Sequence, residues 1–199
     1  MSIWHLLIIN PVLTYIDSLI QFNKVIDMSQ SPTFLEMLPQ LLIMLFMEDF
    51  FFFSFHYLLH TKTFYRFHKH HHEHTTTTTF AGLDSHTFEY ILVNIIPAAI
   101  FMTAAEVIAP LHVTTMTLWI IYRTWDGFNS HSGYNFTWDF VQVLPFCTND
   151  DFHDFHHTFN AGNLSSTFRF WDCVFATNKD FQAYERAREA KALKATKRA

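Results

Sequence analysis

Two histidine triplets with the same spacing stand far apart in this chain: His68, His71 and His72, and again His153, His156 and His157. Each reads H-x-x-H-H, and an H-x-x-x-H pair, His56 and His60, precedes the first. On a helix, positions i, i+3 and i+4 share one face, so each set should aim its imidazoles at one point. Imidazole is the commonest side-chain metal ligand near neutral pH. Eight converging rings exceed the needs of one ion, and the spacing points to a two-metal centre. With 14 His in 199 residues, H-x-x-x-H arises by chance roughly once, whereas H-x-x-H-H is expected about 0.07 times per chain, so its repetition is not an accident of composition. The first triplet lies in a His-rich run, His68-Lys-His-His-His-Glu-His74, which alone could be an unstructured metal-sequestering tract. The second triplet lies in no such tract.

Neutral imidazole suits zinc, iron, copper and nickel, and spacing alone does not choose among them. A structural zinc site closes with four ligands, and this chain offers at least eight. Soluble di-iron bundles use Glu together with Glu-x-x-His; here there is no Glu-x-x-His, although Asp150/His153 and Asp154/His157 give Asp-x-x-His. A nearly all-nitrogen shell leaves the metals more positive than carboxylates would. That suits a strong oxidant, as breaking an unactivated C–H bond requires. His86, before the third apolar segment, and His131, just after the fourth, could each help complete ten ligands, five per metal. His70 and His74 point off the triplet face and are read as solvated or as partners of ligands; His5 and His112 are read as incidental. Ligating rings hand their other N–H to a carboxylate or carbonyl. Asp49, two helical turns before His56, is the leading candidate for that role, followed by Glu73, Glu89 and Asp154.

The elements that must position these rings are apolar. The length suits one domain. Half the residues are hydrophobic and only 4 are Gly, which disfavours a Gly-rich β architecture or a dinucleotide loop. Cys147 and Cys173 supply neither a disulfide framework nor a C-x-x-C zinc signature. A net charge of −5 gives no general attraction for nucleic acid. Four apolar segments stand out: 3–22, 36–59, 88–108 and 111–125, with Pro110 at the last join. The first has no basic flank before it and no small-residue cleavage site after it, so it reads as a membrane or re-entrant helix rather than a signal peptide. The second carries Glu48 and Asp49 and should cross the bilayer and continue into water with His56 and His60. Pairing the segments as two hairpins brings both His clusters out on one side, together with 12 of the 13 Lys and Arg, and the positive-inside rule makes that side cytosolic.

The expected fold is therefore an all-α integral membrane bundle of about four helices in two hairpins, with a cytosolic His-rich cap. Residues 1–35 form an N-terminal hydrophobic segment and loop, 36–182 the catalytic unit, and 183–199 a basic, solvated tail able to lie on anionic lipid. A soluble α-helical protein with several buried helices is the rival architecture. A non-catalytic metal-binding or transporting membrane protein is the rival function. A transporter should carry polar residues through mid-membrane, and 90–105 offers few.

The run Glu48-Asp-Phe-Phe-Phe-Phe-Ser-Phe-His-Tyr-Leu-Leu-His60, followed by His68-Lys-His-His-His-Glu73, resembles the fatty acid hydroxylase/sterol desaturase superfamily. So do His131-Ser-Gly-Tyr-Asn135, Asp151-Phe-His-Asp-Phe-His-His157, Gly162-Asn163, Ser166-Thr-Phe and Phe170-Trp-Asp172, and these look most like the 4-methylsterol monooxygenases. The resemblance covers roughly 36–182. It implies a multi-pass endoplasmic-reticulum enzyme with two non-haem iron ions, taking molecular oxygen as co-substrate and electrons from NADH through cytochrome b5 and its reductase. It also implies stepwise oxidation of a methyl group on the sterol 4-carbon. A sterol desaturase or fatty-acyl hydroxylase is the alternative within the superfamily. Carried over by position, the ligands are His56, His60, His68, His71, His72, His153, His156 and His157, joined by His86 and His131. Three departures bear on the substrate: Thr87 stands where the family usually has Pro, Asn129 where it usually has an acid, and the family's first hydrophobic hairpin has no counterpart here. The terminus also lacks a di-lysine retrieval spacing.

Overall fold

The computed structural model describes residues 28–136, 138–139, 141 and 144–197; the apolar stretch 3–22, assigned above to the first hairpin, lies outside them. The elements of the described residues are helical, with an isolated antiparallel bridge between Cys147 and Phe168.

Helix α1, Phe34–Leu59, begins where Glu36 Oε2 accepts the backbone N–H of Thr33 at 2.7 Å and its hydroxyl at 2.8 Å. Its 26 residues rise about 39 Å, more than the roughly 30 Å of bilayer hydrocarbon, so the last turns can carry His56 and the cap residue His60 beyond it. The first triplet does not lie on one unbroken helix. A short helix α2, Tyr65–His68, gives way at Lys69 and His70 to a 3-10 turn, His71–Glu73. Helix α3, Thr87–Ile108, starts at His86, whose Nδ1 accepts the Phe88 N–H at 3.0 Å. Its second turn widens to a π conformation over Ile91–Ile95. Pro97 lacks an N–H, and its ring would strike the carbonyl of Val93 in a regular helix; the widened turn makes room for it. Helix α4, Val113–Ser130, is capped by His112, whose Nδ1 accepts the Thr114 N–H at 3.0 Å, so His112 has a structural use that sequence reading passed over. It runs past the expected end at Trp125 and delivers Asp126 and Asn129, both buried, beneath the cap. Helices α5, Asp150–Phe159, α6, Phe170–Phe175, and α7, Lys179–Thr196, complete the order.

Helix α1 packs along α3, and Gln40 ties them by donating to the carbonyls of Ala105 at 3.2 Å and Ala109 at 2.7 Å. Met44, Phe101, Ala105, Leu111 and Trp119 make one buried core; Phe152, Phe155 and Phe181 make a second that seats α5 on α7. Two helices, α1 and α3, are long and apolar enough to cross a membrane. Helix α4 mixes Thr, Arg and Asp into its 18 residues and is not one of the two.

Buried polar pins join the helices to the loop after α5. Arg123 bridges Glu48 at 2.9 Å and Asp126 at 2.7 Å. Asp172 accepts the backbone N–H groups of Leu164 and Ser165 at 2.8 Å each, and the hydroxyl of Thr177. Asp49 Oδ1 accepts the N–H groups of Thr167 and Phe168 at 2.8 and 3.0 Å. Asp49 therefore holds this loop instead of partnering a histidine. A carboxylate buried in an apolar helix gains most from donors that have no other acceptor, and the turning chain at 167–168 supplies two.

Candidate metal centre

Nine of the ten histidines singled out in the sequence come together, in two groups whose ring nitrogens lie within 4.8 Å of one another. The first comprises His56, His60, His68, His72 and His156; the second comprises His71, His131, His153 and His157. The triplets are shared between the groups. His68 and His72 (i, i+4) join the first group while His71 joins the second; His153 and His157 join the second while His156 joins the first. Each triplet thus faces two points rather than the single point that helical spacing suggests. In α5 the i+3 position lies a partial turn away from the i/i+4 pair, and in the first triplet the break between α2 and the 3-10 turn sets His71 apart.

His86 joins neither group. Its Nδ1 is spent on the Phe88 N–H, and its ring packs on Phe67 with centroids 5.2 Å apart. His70 and His74 lie outside both groups and converge on Asp84 at 3.2 and 3.0 Å, with Glu73 on His70.

Four rings are oriented by main-chain carbonyls, to which Nδ1–H donates. His56 points to Leu164 O at 2.8 Å, His131 to Gly127 O at 2.9 Å, His156 to Gly162 O at 2.6 Å and His157 to His74 O at 3.1 Å. His68 donates to Glu89 Oε1 at 2.8 Å. Of the four carboxylates considered from the sequence, Glu89 is the one on a grouped ring; Asp154 accepts from Thr77 instead. Gly82 leaves space for His131, whose Nδ1 would lie 2.9 Å from a Cβ there.

A neutral imidazole with hydrogen on Nδ1 presents a lone pair at Nε2. His56 and His68 turn such lone pairs on each other at 3.0 Å, and His156 Nε2 is buried with no hydrogen-bond partner. Facing lone pairs repel unless a cation lies between them. Neighbouring Nε2 atoms approach at 2.9–3.2 Å throughout: His72 with His68 and His60, His153 with His131 and His157. Ligands at right angles around one ion, each about 2.1 Å from it, lie roughly 3.0 Å apart. The donor set fits a metal at each group.

Charge agrees with geometry. Burial, followed by the neighbouring rings, pushes His71, His153 and His156 well below the usual imidazole range, and His68 likewise. Burial lowers His131 to about 4 and His157 to about 3. The rings are therefore neutral, the form that binds metal. A cavity of about 370 Å³ opens against the centre. His56, His68, His71, His131 and His153 line it, and Phe52, Leu83, Val93 and Phe128 give it apolar surface.

Sequence reading expected carboxylate or carbonyl partners for the rings but named only carboxylates. It also gave no role to Arg123 or Asp172, although a cation in an apolar segment and an acid beside a Phe-Trp pair are both signals that a buried partner exists.

Comparison with known proteins agrees with this architecture. A model of the fatty acid hydroxylase family matches residues 41–177, which contain all ten histidines. The chain is 32% identical over 160 residues to the C-4 methylsterol oxidase of Schizosaccharomyces pombe, covering 80% of this chain and 53% of that protein. It is 32% identical over 173 residues to methylsterol monooxygenase 2-2 of Arabidopsis thaliana, covering 83% and 62%. It is 31% identical over 188 residues to a very-long-chain aldehyde decarbonylase of Oryza sativa subsp. japonica, covering 90% and 67%. The chain spans about half the length of the curated relatives it matches. No solved structure matches it. The family match covers both histidine triplets, the loop that aims their rings and the helices that carry them, and on that ground the chain belongs to the fatty acid hydroxylase family.

Proposed function

We propose that this chain is the catalytic unit of a membrane-bound, non-haem di-iron oxygenase that oxidises the methyl group on carbon 4 of a sterol. Two groups of neutral imidazoles beside an apolar cavity, all buried except the half-buried His60, carry the reading. The names of the fungal and plant relatives supply the substrate class. His56, His60, His68, His72 and His156 would hold one iron, and His71, His131, His153 and His157 the other. His86 remains a candidate tenth ligand only if it gives up its helix cap. Bound iron would supply the activation of molecular oxygen that attack on an unactivated C–H bond requires.

The protein's own part is positional. Carbonyl anchors and Glu89 fix ring direction, burial keeps the rings unprotonated, and the apolar walls excluding water admit a lipid. Residues 36–182 form the catalytic unit, closed by Phe181 on Phe152 and Phe155, with 183–199 a tail. Spans at 3–22 and 111–125 would add to α1 and α3, leaving the histidines and the C-terminus in the cytosol of an endoplasmic-reticulum membrane. There, cytochrome b5 and its reductase would pass electrons from NADH.

The match to an aldehyde decarbonylase favours one second reading, in which the cavity holds a long acyl chain instead of a ring system. Iron counted on protein purified in detergent, followed by oxygen-dependent conversion of a 4,4-dimethylsterol with cytochrome b5 and its reductase supplied, separates the cases. Two irons per chain and an oxidised 4-methyl group are expected. Exchangeable zinc with no oxygen uptake would return the protein to a metal-binding role, and acyl products without sterol products would favour the second reading.

A further inference from the structure

We propose that Asn94 is the substrate-positioning residue that binds the ring hydroxyl of the sterol, an inference that rests on the function proposed above. Asn94 lies on α3, a helix apolar enough to cross a membrane, inside its π turn. It lines the cavity that His56, His68, His71, His131 and His153 also line. Its side chain is exposed, and its carboxamide makes no hydrogen bond among the described residues. A primary amide in an apolar helix is costly without a partner, and such residues mark the path of a polar substrate group.

Several other polar groups of the wall are already engaged. Arg123 is held by Glu48 and Asp126, Ser166 by Arg123 and Asp126, and Ser130 by Gly127 O and the His131 ring. The hydroxyl of Thr124 sits on a helix, where an alcohol can turn back to the carbonyl of the preceding turn. Ser85 precedes α3, on the far side of the His86 cap. A carboxamide brings two donors and an acceptor that no local carbonyl can satisfy together.

Asn94 sits within the π turn, next to Val93, which also lines the cavity, and five residues after Glu89, whose Oε1 orients His68. A sterol bears its hydroxyl on the ring carbon next to carbon 4, so whatever binds that hydroxyl must stand close to the metals but not among them. Asn94 meets that condition: it shares the cavity with five of the grouped histidines and belongs to neither group.

The test uses the iron-loaded enzyme in detergent with reductase and cytochrome b5 supplied. Two substrates are compared, a 4,4-dimethylsterol and its 3-deoxy counterpart, with wild type, Asn94→Leu and Asn94→Gln, and iron is counted on each. One neutral hydrogen bond is worth about threefold to tenfold in binding. Asn94→Leu should raise KM for the hydroxylated sterol by that factor with kcat and iron content unchanged, and leave KM for the 3-deoxy compound where it was. Asn94→Gln should recover part of the loss. Equal losses on both substrates, or no loss on either, overturn the proposal while leaving the oxygenase reading intact. A wild-type enzyme that turns over neither sterol overturns both. If Asn94→Leu fails to fold, the wild-type preference for the hydroxylated over the 3-deoxy compound, lost in Asn94→Ser, decides the matter in the same way.

Discussion

Glu89 offers the most discriminating perturbation of the metal centre. Its Oε1 accepts the Nδ1–H of His68 at 2.8 Å, both side chains are buried, and no other grouped ring contacts a carboxylate among the described residues. Removing such a partner loosens the ring and lowers its basicity, which costs about 10- to 100-fold in metal affinity, or roughly 1.4–2.8 kcal/mol. His68 belongs to the five-histidine group and not to the four-histidine group. Glu89→Ala should therefore weaken one site by that factor and leave the other nearly untouched. Glu89→Gln, whose carboxamide oxygen can still accept the bond, should lose less. The assay is stepwise removal of metal by a chelator of graded strength, with metal per chain counted at each step and helicity followed in parallel. One metal should leave early in Glu89→Ala and the second should leave as in wild type. Simultaneous loss of both metals with helicity preserved, or retention of both, would refute the division of the histidines into two sites.

Further outcomes follow from the buried pins and the neutral rings. Protons compete for His131 and His157 only near pH 4 and 3, so metal content should hold from about pH 7.5 to 6 and fall only below about 5, as read by metal analysis across a pH series. The same shifts make the metal-free fold acid-sensitive: the unfolded chain takes up protons near 6.5 while the folded rings refuse them, so stability declines as pH drops from about 6.5 toward 4. A thermal melting point of the metal-free protein that rises as pH drops over that interval would contradict the burial of the rings. Arg123→Met leaves Glu48 and Asp126 buried without their cation and should cost about 3–5 kcal/mol, with Glu48→Gln in the same chain recovering part of it in denaturation curves. Asp172→Ala frees the Leu164 and Ser165 N–H groups at about 1–3 kcal/mol each. Because Leu164 O also aims His56, metal affinity should fall together with melting temperature in that variant, and Asp172→Asn should do less harm.

How far the sequence could be read depended on the kind of interaction. The triplets were legible because a ligand spacing that recurs far along the chain seldom arises without a metal to bind. The apolar runs at 36–59 and 88–108 were legible because helix-length hydrophobicity is a strong signal, and both became helices of nearly those bounds. The splitting of each triplet between two groups was not legible. It depends on the phase of His71 after a break at Lys69–His70 and on where α5 lies relative to α2, and both are tertiary facts. Asp49 was misjudged for a related reason. Its position on the His56 face is right, but which donor reaches it is decided by a loop 118 residues later. The π turn had a visible cause in Pro97, since a proline inside a helical run must disturb the bond to the residue four before it. His86 shows the limit of carrying a residue over by position, because capping a helix and binding a metal draw on the same nitrogens.

The carbonyl anchors have a bearing on how this centre tolerates mutation. Every residue type possesses a main-chain oxygen, so the side chains at positions 74, 127 and 164 can drift without silencing the group that steers a ring. Such steering is invisible to a scan that trims side chains one at a time, and it breaks only when the path of the chain is bent. Position 162 is where that can happen: its φ of +57° suits glycine, and any Cβ there would run into the carbonyl oxygen of Thr177. A single methyl group at that point, far from any ligand in chemical type, would swing the oxygen that holds His156 and so reach the metals through geometry alone.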